Sequence, residues 1–450
     1  MKNALWIPKK VEKILSVLEG NGFESYVVGG CVRDSLLGRS PNDWDITTKG
    51  TPEQVKACFS NNRVINTGLK HGTVTLLLDD EPFEITTFRQ DGEYLDYRRP
   101  KEVSFVTSIR EDLQRRDFTV NAMAFSPKRG LMDPFSGQKD LEDKVIRCVG
   151  RLEKRFREDA LRIMRCLRFA SQLGFSIDNA TFAKAEAMAD LLQHIAAERI
   201  QVELVKLLCG IGAKDILDQG RNIIAAFIPE IRASFDCLQE NPYHIYDVYR
   251  HSIYAVGYVA PTPVLRLAAF FHDIGKPVCK FFDEDGIGHF YYHEHKSEDI
   301  CRAVMNRLRF DNKTKSRVCL LVKKHGIVFQ PNCRQGRRLL SQMGEEAVFQ
   351  LIQLEQADVK SQNPKYSKER LERIEVFKKE IRQLLLEQQC FSLQELEISG
   401  RDLLEVGIPQ GPQVGRILKK LLDMVLEEQL PNQRDVLLEY GIKLQNKGEF

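Results

Sequence analysis

Two aspartates separated by a single residue, Asp43 and Asp45 in the run NDWDITT, are the first pair in this 450-residue sequence with an evident chemical use. In an extended segment, residues two apart project from the same face, which would set the two carboxylates side by side. Magnesium takes hard oxygen ligands and is usually held by a few carboxylates together with substrate phosphates, so this spacing suits nucleotidyl transfer by a two-metal clamp. Glu84, in the strand-like FEITTF, could supply a third carboxylate from a neighbouring strand. Upstream, the β-rich YVVGG ends on Gly29 and Gly30, which permit a tight turn and close approach of a ligand to the backbone. A short helix starting there would favour phosphate at its N-terminus.

A second set lies far downstream. Residues 240–360 hold seven of the nine histidines: His251 in YRHSIYAV, the adjacent pair His272-Asp273 in FFHDIGKP, His293 in YYHEHKSE and His325 in VKKHG, followed by Asp358 in EQADVKS. Imidazole and carboxylate ligands spread over several helices can converge on one or two divalent ions that activate water on a phosphoester.

The elements that must position these residues follow from length and patterning. A chain of 450 residues exceeds one hydrophobic core and is expected to form several domains. Residues 1–148 mix short β-like runs (YVVGG, TVTLLLDD, PFEITTF) with helical stretches, as an α+β head would. Residues 149–235 are helical, with apolar positions three and four apart in LRIMRCLRFASQLGF and RIQVELVKLL, and form a neck. A helical body covers 236–362 and a helical tail 363–450, the tail opening on the charged KYSKERLERIEVFKKEIRQLLLEQQ. No apolar run reaches the eighteen residues that would span a bilayer. The N-terminal MKNALWIPKKVEKILSVLEG reads as an amphipathic helix without the layout of a secretory signal, so a cytoplasmic location is expected. Eleven cysteines without a C-x-x-C pair read as reduced thiols. With 66 basic and 63 acidic residues the whole-molecule field does not announce a nucleic acid. Basic clusters at Arg98 to Lys101, Arg115-Arg116, Arg147 to Arg157 and Arg162 to Arg168 concentrate beside the acidic motif instead.

The order G-G-x-V-R-D then D-x-D resembles the nucleotidyltransferase head of the class II tRNA nucleotidyltransferase and poly(A) polymerase family. Further blocks match in order: RRDFTVNAMA (115–124), DPFSGQKDLEDKVIR (133–147), EDALRIMRCLRFASQLGF (158–175) and ERIQVELVKLL (198–208). The tail segment ISGRDLLEVGIPQGPQVGRILKKLL is similar to the C-terminal region of CCA-adding members. The resemblance implies a polymerase-β-like head with a small mixed sheet, followed by an all-α neck, body and tail. It implies Asp43, Asp45 and Glu84 as catalytic carboxylates, with Mg²⁺ on the aspartate pair. Gly29, Gly30, Arg33, Asp34, Arg116, Asp117, Asn121, Asp159, Arg162, Arg165 and Arg168 are implied as nucleotide contacts. On a continuous helix Asp159 and Arg162, three apart, would neighbour each other, with Arg165 and Arg168 winding away by roughly 60° per step. In the family an Asp and an Arg here read the incoming base. Cytosine and adenine both offer an exocyclic amino donor beside a ring-nitrogen acceptor, so an accepting Asp159 and a donating Arg162 would admit C and A.

FRQDGEYLDYRRP (88–100) resembles the flexible loop carried by CCA-adding and A-adding members, so terminal A addition is expected. The expected function is CCA addition to the 3′ end of tRNA from CTP and ATP, the partner being the acceptor arm of tRNA. A poly(A) polymerase or a CC-adding enzyme is the alternative within the family. The histidine series resembles the HD phosphohydrolase superfamily. It implies a second divalent-metal site with His251, His272, Asp273 and Asp358 as the minimal ligand set, His293 and His325 as second-site ligands, and His295 as incidental. From this comes the alternative of another class, an HD phosphohydrolase whose head serves to bind RNA.

Overall fold

The computed structural model describes residues 5–92, 103–330, 332–387 and 390–446. The chain divides into two compact units, Met1–Arg232 with Asn306–Phe310, and Ala233–Met305 with Asp311–Phe450.

The first unit is built on a mixed sheet. Its strands are β1 (Ser25–Val28), β2 (Ile46–Thr48), β3 (Arg63–Gly68), β4 (Thr73–Leu78) and β5 (Glu81–Thr87), then a separate ribbon of β6 (Arg89–Asp91) and β7 (Val103–Phe105), then β8 (Ala124–Ser126) and β9 (Gly130–Met132). The order across the sheet is β3-β4-β5-β2-β1-β8-β9. Strand β1, SYVV, is buried on both faces, as a short run containing β-branched residues at the centre of a sheet should be. It pairs antiparallel with β2 and β8, while β2 pairs parallel with β5 through Ile46 opposite Ile85. Glu84 and Asp45 immediately precede these paired residues, Ile85 and Ile46. Helix Lys9–Gly20 buries Val11, Ile14, Leu15 and Leu18, an apolar stripe at helical spacing. Helical chain follows: Leu152–Glu158, Leu161–Leu173, Asn179–Ala187 and Ala197–Leu208, with Leu161–Leu173 packed along Ala197–Leu208.

The second unit is helical apart from a two-stranded ribbon, Phe281–Phe282 with Gly288–His289. Helices Val248–Tyr258, Pro263–Phe271, Asn312–Lys324 and Glu345–Lys360 pack on one another. Asp247 and Asp311 start two of them by accepting from the backbone N–H of Arg250 (2.8 Å) and Thr314 (2.9 Å), caps each worth about 1 kcal/mol. The long helix Pro364–Leu386 follows, then Gly400–Glu405, Pro412–Leu426 and Arg434–Asn446 around a core that includes Leu403, Ile417, Leu421 and Leu437. Among the described residues no helix is long and apolar enough to cross a membrane.

Candidate functional site

Asp43 and Asp45 lie in the lead-in to β2, outside the regular strand. The Asp45 carbonyl accepts the Val28 N–H at 3.0 Å, which ties this lead-in to the end of β1. Although the Asp45 side chain reaches solvent, enclosure by the surrounding protein raises its pKa. The Asp43 charge adds to this, Arg116 opposes it, and Glu84 raises it further. The three carboxylates thus share one field. Among the described residues these three do not form a group with all ligand atoms within 4.8 Å of one another.

Gly29 sits at φ +83°, a conformation that strains an L side chain, and a Cβ on it would lie 2.8 Å from the Arg116 guanidinium. The backbone conformation calls for glycine, whereas the guanidinium lies at the end of a flexible side chain that could give way. Gly30 opens the helix Gly30–Leu36, which carries Arg33. Arg33 donates to both oxygens of Asp34 (2.9 and 3.0 Å) and to Asn121 Oδ1 (2.6 Å). Asn121 donates to Asp117 Oδ1 (3.2 Å), and Arg165 donates to Asp117 Oδ2 (2.8 and 2.5 Å). Burial would raise the Asp117 carboxyl, but Arg165 and its hydrogen bonds hold it far below the usual range. Glu203 continues the chain to Arg168 at 2.5 Å. Residues drawn from positions 33 to 203 of the sequence therefore form one charged network.

Asp159 and Arg162 correct the sequence expectation. They are not on one helix: Leu152–Glu158 ends at Asp159, whose φ −139° and ψ 101° are extended, and the next helix starts at Leu161. Their side chains do not pair with each other either, although the Arg162 N–H donates to the Asp159 carbonyl at 3.0 Å. Asp159 faces Arg199 (3.2 and 3.4 Å). Arg162 is buried and donates to Glu158 Oε2 (3.1 Å) and to the carbonyls of Arg155 (3.3 Å) and Arg115 (2.9 Å).

Sequence reasoning assigned no role to Arg199, Glu203 or Asp112. The first two are four apart on Ala197–Leu208, one face of a block already singled out, and they hold Asp159 and Arg168. Asp112 is fully buried, accepts from Arg89 N (3.3 Å) and Arg115 Nε (3.0 Å), and lies 3.7 Å from Arg116. A charged residue in IREDLQ gave no sign of such burial. Of the 88–100 segment, residues 93–100 lie outside the described residues, and its first residues enter ribbon β6–β7.

In the second unit all six anticipated ligands converge. His251, His272, Asp273 and Asp358 form one group and Asp273, His293 and His325 another, each with its ligand atoms within 4.8 Å of one another. Asp273 belongs to both. Its Oδ2 lies 3.3 Å from His251 and His272, and its Oδ1 lies 3.3 Å from His293 and His325. Asp358 Oδ1 is 2.8 Å from His251. Each ring donates Nδ1–H to a backbone carbonyl: His251 to Ser361 (3.4 Å), His272 to Ala269 (2.8 Å), His293 to Phe290 (2.7 Å) and His325 to Val322. The four Nε2 atoms consequently point inward, 3.0–3.2 Å apart in two pairs, and each offers a lone pair whenever its ring is neutral. That arrangement is repulsive for neutral rings and suits cation binding, so these residues fit divalent metal. Burial disfavours charge on His272, yet Asp273 and Asp358 outweigh it and raise its pKa to about 10. Both carboxylates are held well below their ordinary value against the cost of burial, chiefly by the histidines. His295, mostly exposed, reaches only Glu294 at 4.0 Å.

Comparison with known proteins decides the family. The chain is 33% identical over 443 residues to a CCA-adding enzyme of Enterococcus faecalis, covering 98% of this chain and 97% of that one. It belongs to the CCA-adding enzymes. A CCA-adding enzyme of Oceanobacillus iheyensis is 50% identical over 201 residues, 45% of this chain and 50% of its own length. Residues 25–147 match the family model for the poly A polymerase head domain, and residues 284–440 that for tRNA nucleotidyltransferase domain 2. The fold is similar to a crystal structure of the Bacillus stearothermophilus CCA-adding enzyme in complex with CTP, with a TM-score of 0.72, 27% identity and 98% of each chain covered. As a CCA-adding tRNA nucleotidyltransferase, the chain is the α+β, multidomain enzyme that its motifs indicate.

Proposed function

We propose that this CCA-adding enzyme extends the 3′ end of tRNA by two cytidines and one adenosine, using the first unit's carboxylates and arginine network. The observation that carries the assignment of residues is the joining of Arg33, Asn121, Asp117, Arg165, Glu203 and Arg168 in one network, in the same unit as the Asp43, Asp45 and Glu84 field. Asp43 and Asp45 would hold Mg²⁺, which supplies charge stabilisation for the attacking 3′-hydroxyl, the α-phosphate and the departing pyrophosphate. Glu84 adds negative charge beside them. Arg33, Arg116, Arg165 and Arg168 bind the triphosphate, and the turn at Gly29-Gly30 lets it approach the backbone. Asp159, held by Arg199, accepts from the amino group of C or A, and Arg162 donates to the ring nitrogen after exchanging one of its present partners. Uracil and guanine place a carbonyl and N–H at those positions and are refused. The cytoplasm is the location this reading implies, in keeping with eleven free thiols.

The test incubates purified protein and Mg²⁺ with tRNA lacking its 3′ end and all four nucleoside triphosphates, then sequences the new termini. Termini ending in CCA support the reading; arrest at CC or a long A tract replaces it.

A second activity is favoured by the convergence of all four histidines and both aspartates in the other unit. His251, His272, Asp273 and Asp358 would hold one divalent ion and Asp273, His293 and His325 another, supplying an activated water for phosphoester hydrolysis. The chain's own contribution is to fix each imidazole tautomer through the backbone carbonyls and to share Asp273 between the two positions.

A further inference from the structure

Beside the histidine centre runs an open groove of about 750 Å³, within the second unit, with no role in the chemistry above. Two tyrosines from distant parts of the sequence meet there: Tyr243, half exposed, and Tyr366, with ring centroids 5.3 Å apart at 65°. The two segments are tied together by Asn363, which donates its backbone N–H to the Tyr243 carbonyl (2.8 Å) and its side chain to the Pro242 carbonyl (3.0 Å). Lys365 lies over the Tyr366 ring at 5.3 Å. Lys368, Arg370 and Arg373 continue the lining, giving four cations against the carboxylates of Glu369 and Glu372. Arg370 also leads inward. It donates to Gln362 Oε1, and Gln362 donates to both oxygens of the metal-site residue Asp358 (3.1 and 3.2 Å).

Exposed aromatic rings interleaved with an excess of positive charge along an open groove are the pattern that takes unpaired nucleic acid, with bases stacking on the rings and phosphates meeting the cations. A duplex has no free base faces to offer tyrosines, so the groove differs in kind from a surface that reads the acceptor arm by shape. We propose that this groove binds an unpaired RNA strand and presents it to the neighbouring histidine centre through the Arg370–Gln362–Asp358 contacts. The binding stands by itself; the presentation rests on the phosphohydrolase reading.

The experiment uses the full chain and an unstructured ten-nucleotide RNA carrying 5-bromouridine. Photocrosslinking should map to peptides containing Tyr243 or Tyr366, and fluorescence anisotropy should show Tyr366→Ala weakening the strand about tenfold while Tyr366→Phe keeps it. Reversing Lys365 and Lys368 to Glu should lower the slope of log affinity against log salt by about 1.4, from roughly 0.7 per lost phosphate contact. CCA addition to tRNA by each variant should match wild type, which excludes misfolding. Crosslinks confined to residues 1–232, or equal affinity in all variants, would overturn the groove. His272→Ala, together with hydrolysis of a small phosphomonoester, separates the two ideas. If His272→Ala still binds the strand and the wild type hydrolyses nothing, the groove stands and the hydrolase falls. If the wild type hydrolyses the ester but crosslinks no strand at either tyrosine, the reverse holds.

Discussion

Phe169 stands among three guanidinium groups, with Arg168 3.6 Å, Arg165 5.2 Å and Arg33 5.3 Å from its ring centroid. Three like charges around one ring repel one another, and the ring's negative face offsets part of that at about 0.5–1 kcal/mol per contact. Phe118 holds the ring from another side in an edge-on contact at 5.8 Å. Phe169→Leu keeps an apolar side chain but removes the face, so KM for both CTP and ATP should rise about 3- to 10-fold with kcat little changed; Phe169→Tyr should retain wild-type KM. Asp117 gives the pH-dependent counterpart. Its folded pKa lies below the ordinary 3.8, so it contributes stability that is complete above about pH 5 and is lost as pH falls towards the folded value. Asp117→Asn leaves Arg165 without its closest partner and should cost about 3 kcal/mol at pH 7. In urea melts, the gap between variant and wild type should narrow as pH falls below 4; a constant gap would refute the assignment. Asp45→Ala should lower kcat/KM for nucleotide addition by at least about 10³-fold, ~4 kcal/mol, with an unchanged melting temperature.

At the scale of elements, the helix Ala197–Leu208 acts as a brace behind Leu161–Leu173, with Arg199 on Asp159 and Glu203 on Arg168. Arg199 occupies both Asp159 oxygens and so fixes the plane in which the carboxylate can accept a base amino group. Arg199→Ala should therefore reduce kcat/KM for CTP and ATP about tenfold and raise the fraction of termini carrying U, read by sequencing with all four nucleotides present. Loss of rate with no loss of discrimination would reduce Arg199 to a stability role. This brace shows what the sequence could and could not convey. The block ERIQVELVKLL was visible as helical from its apolar spacing, yet which charged residues turn inward depends on packing against a second helix. The break at Asp159 leaves no mark in EDALRIMRCLRF, which has no Pro or Gly; the extended backbone there is a tertiary choice. The HD ligands were legible because a His-Asp pair and spaced histidines stand out in sequence. The sharing of Asp273 between two groups was not, since it depends on where each carboxylate oxygen points.

For the whole molecule, the two candidate centres fall in different compact units, the carboxylate and arginine network within Met1–Arg232 and the histidine cluster within Ala233–Met305 and Asp311–Phe450. The contacts named at each centre lie within its own unit, so loss at one centre is expected to leave the chemistry of the other intact. Metal analysis of the purified full chain checks this. The wild type should retain up to two divalent ions per chain after desalting, bound through buried Nε2 atoms and carboxylates. His272→Ala should lose at least one of them yet add CCA at the wild-type rate, while Asp45→Ala should keep both ions and add nothing. Lowering pH should release the retained metal, because a proton competes for the same Nε2 lone pair, and His272, raised to about 10, binds that proton tightly when no metal is present. Loss of CCA addition in His272→Ala, with its melting temperature unchanged, would mean that the histidine centre serves nucleotide transfer and has no separate reaction of its own.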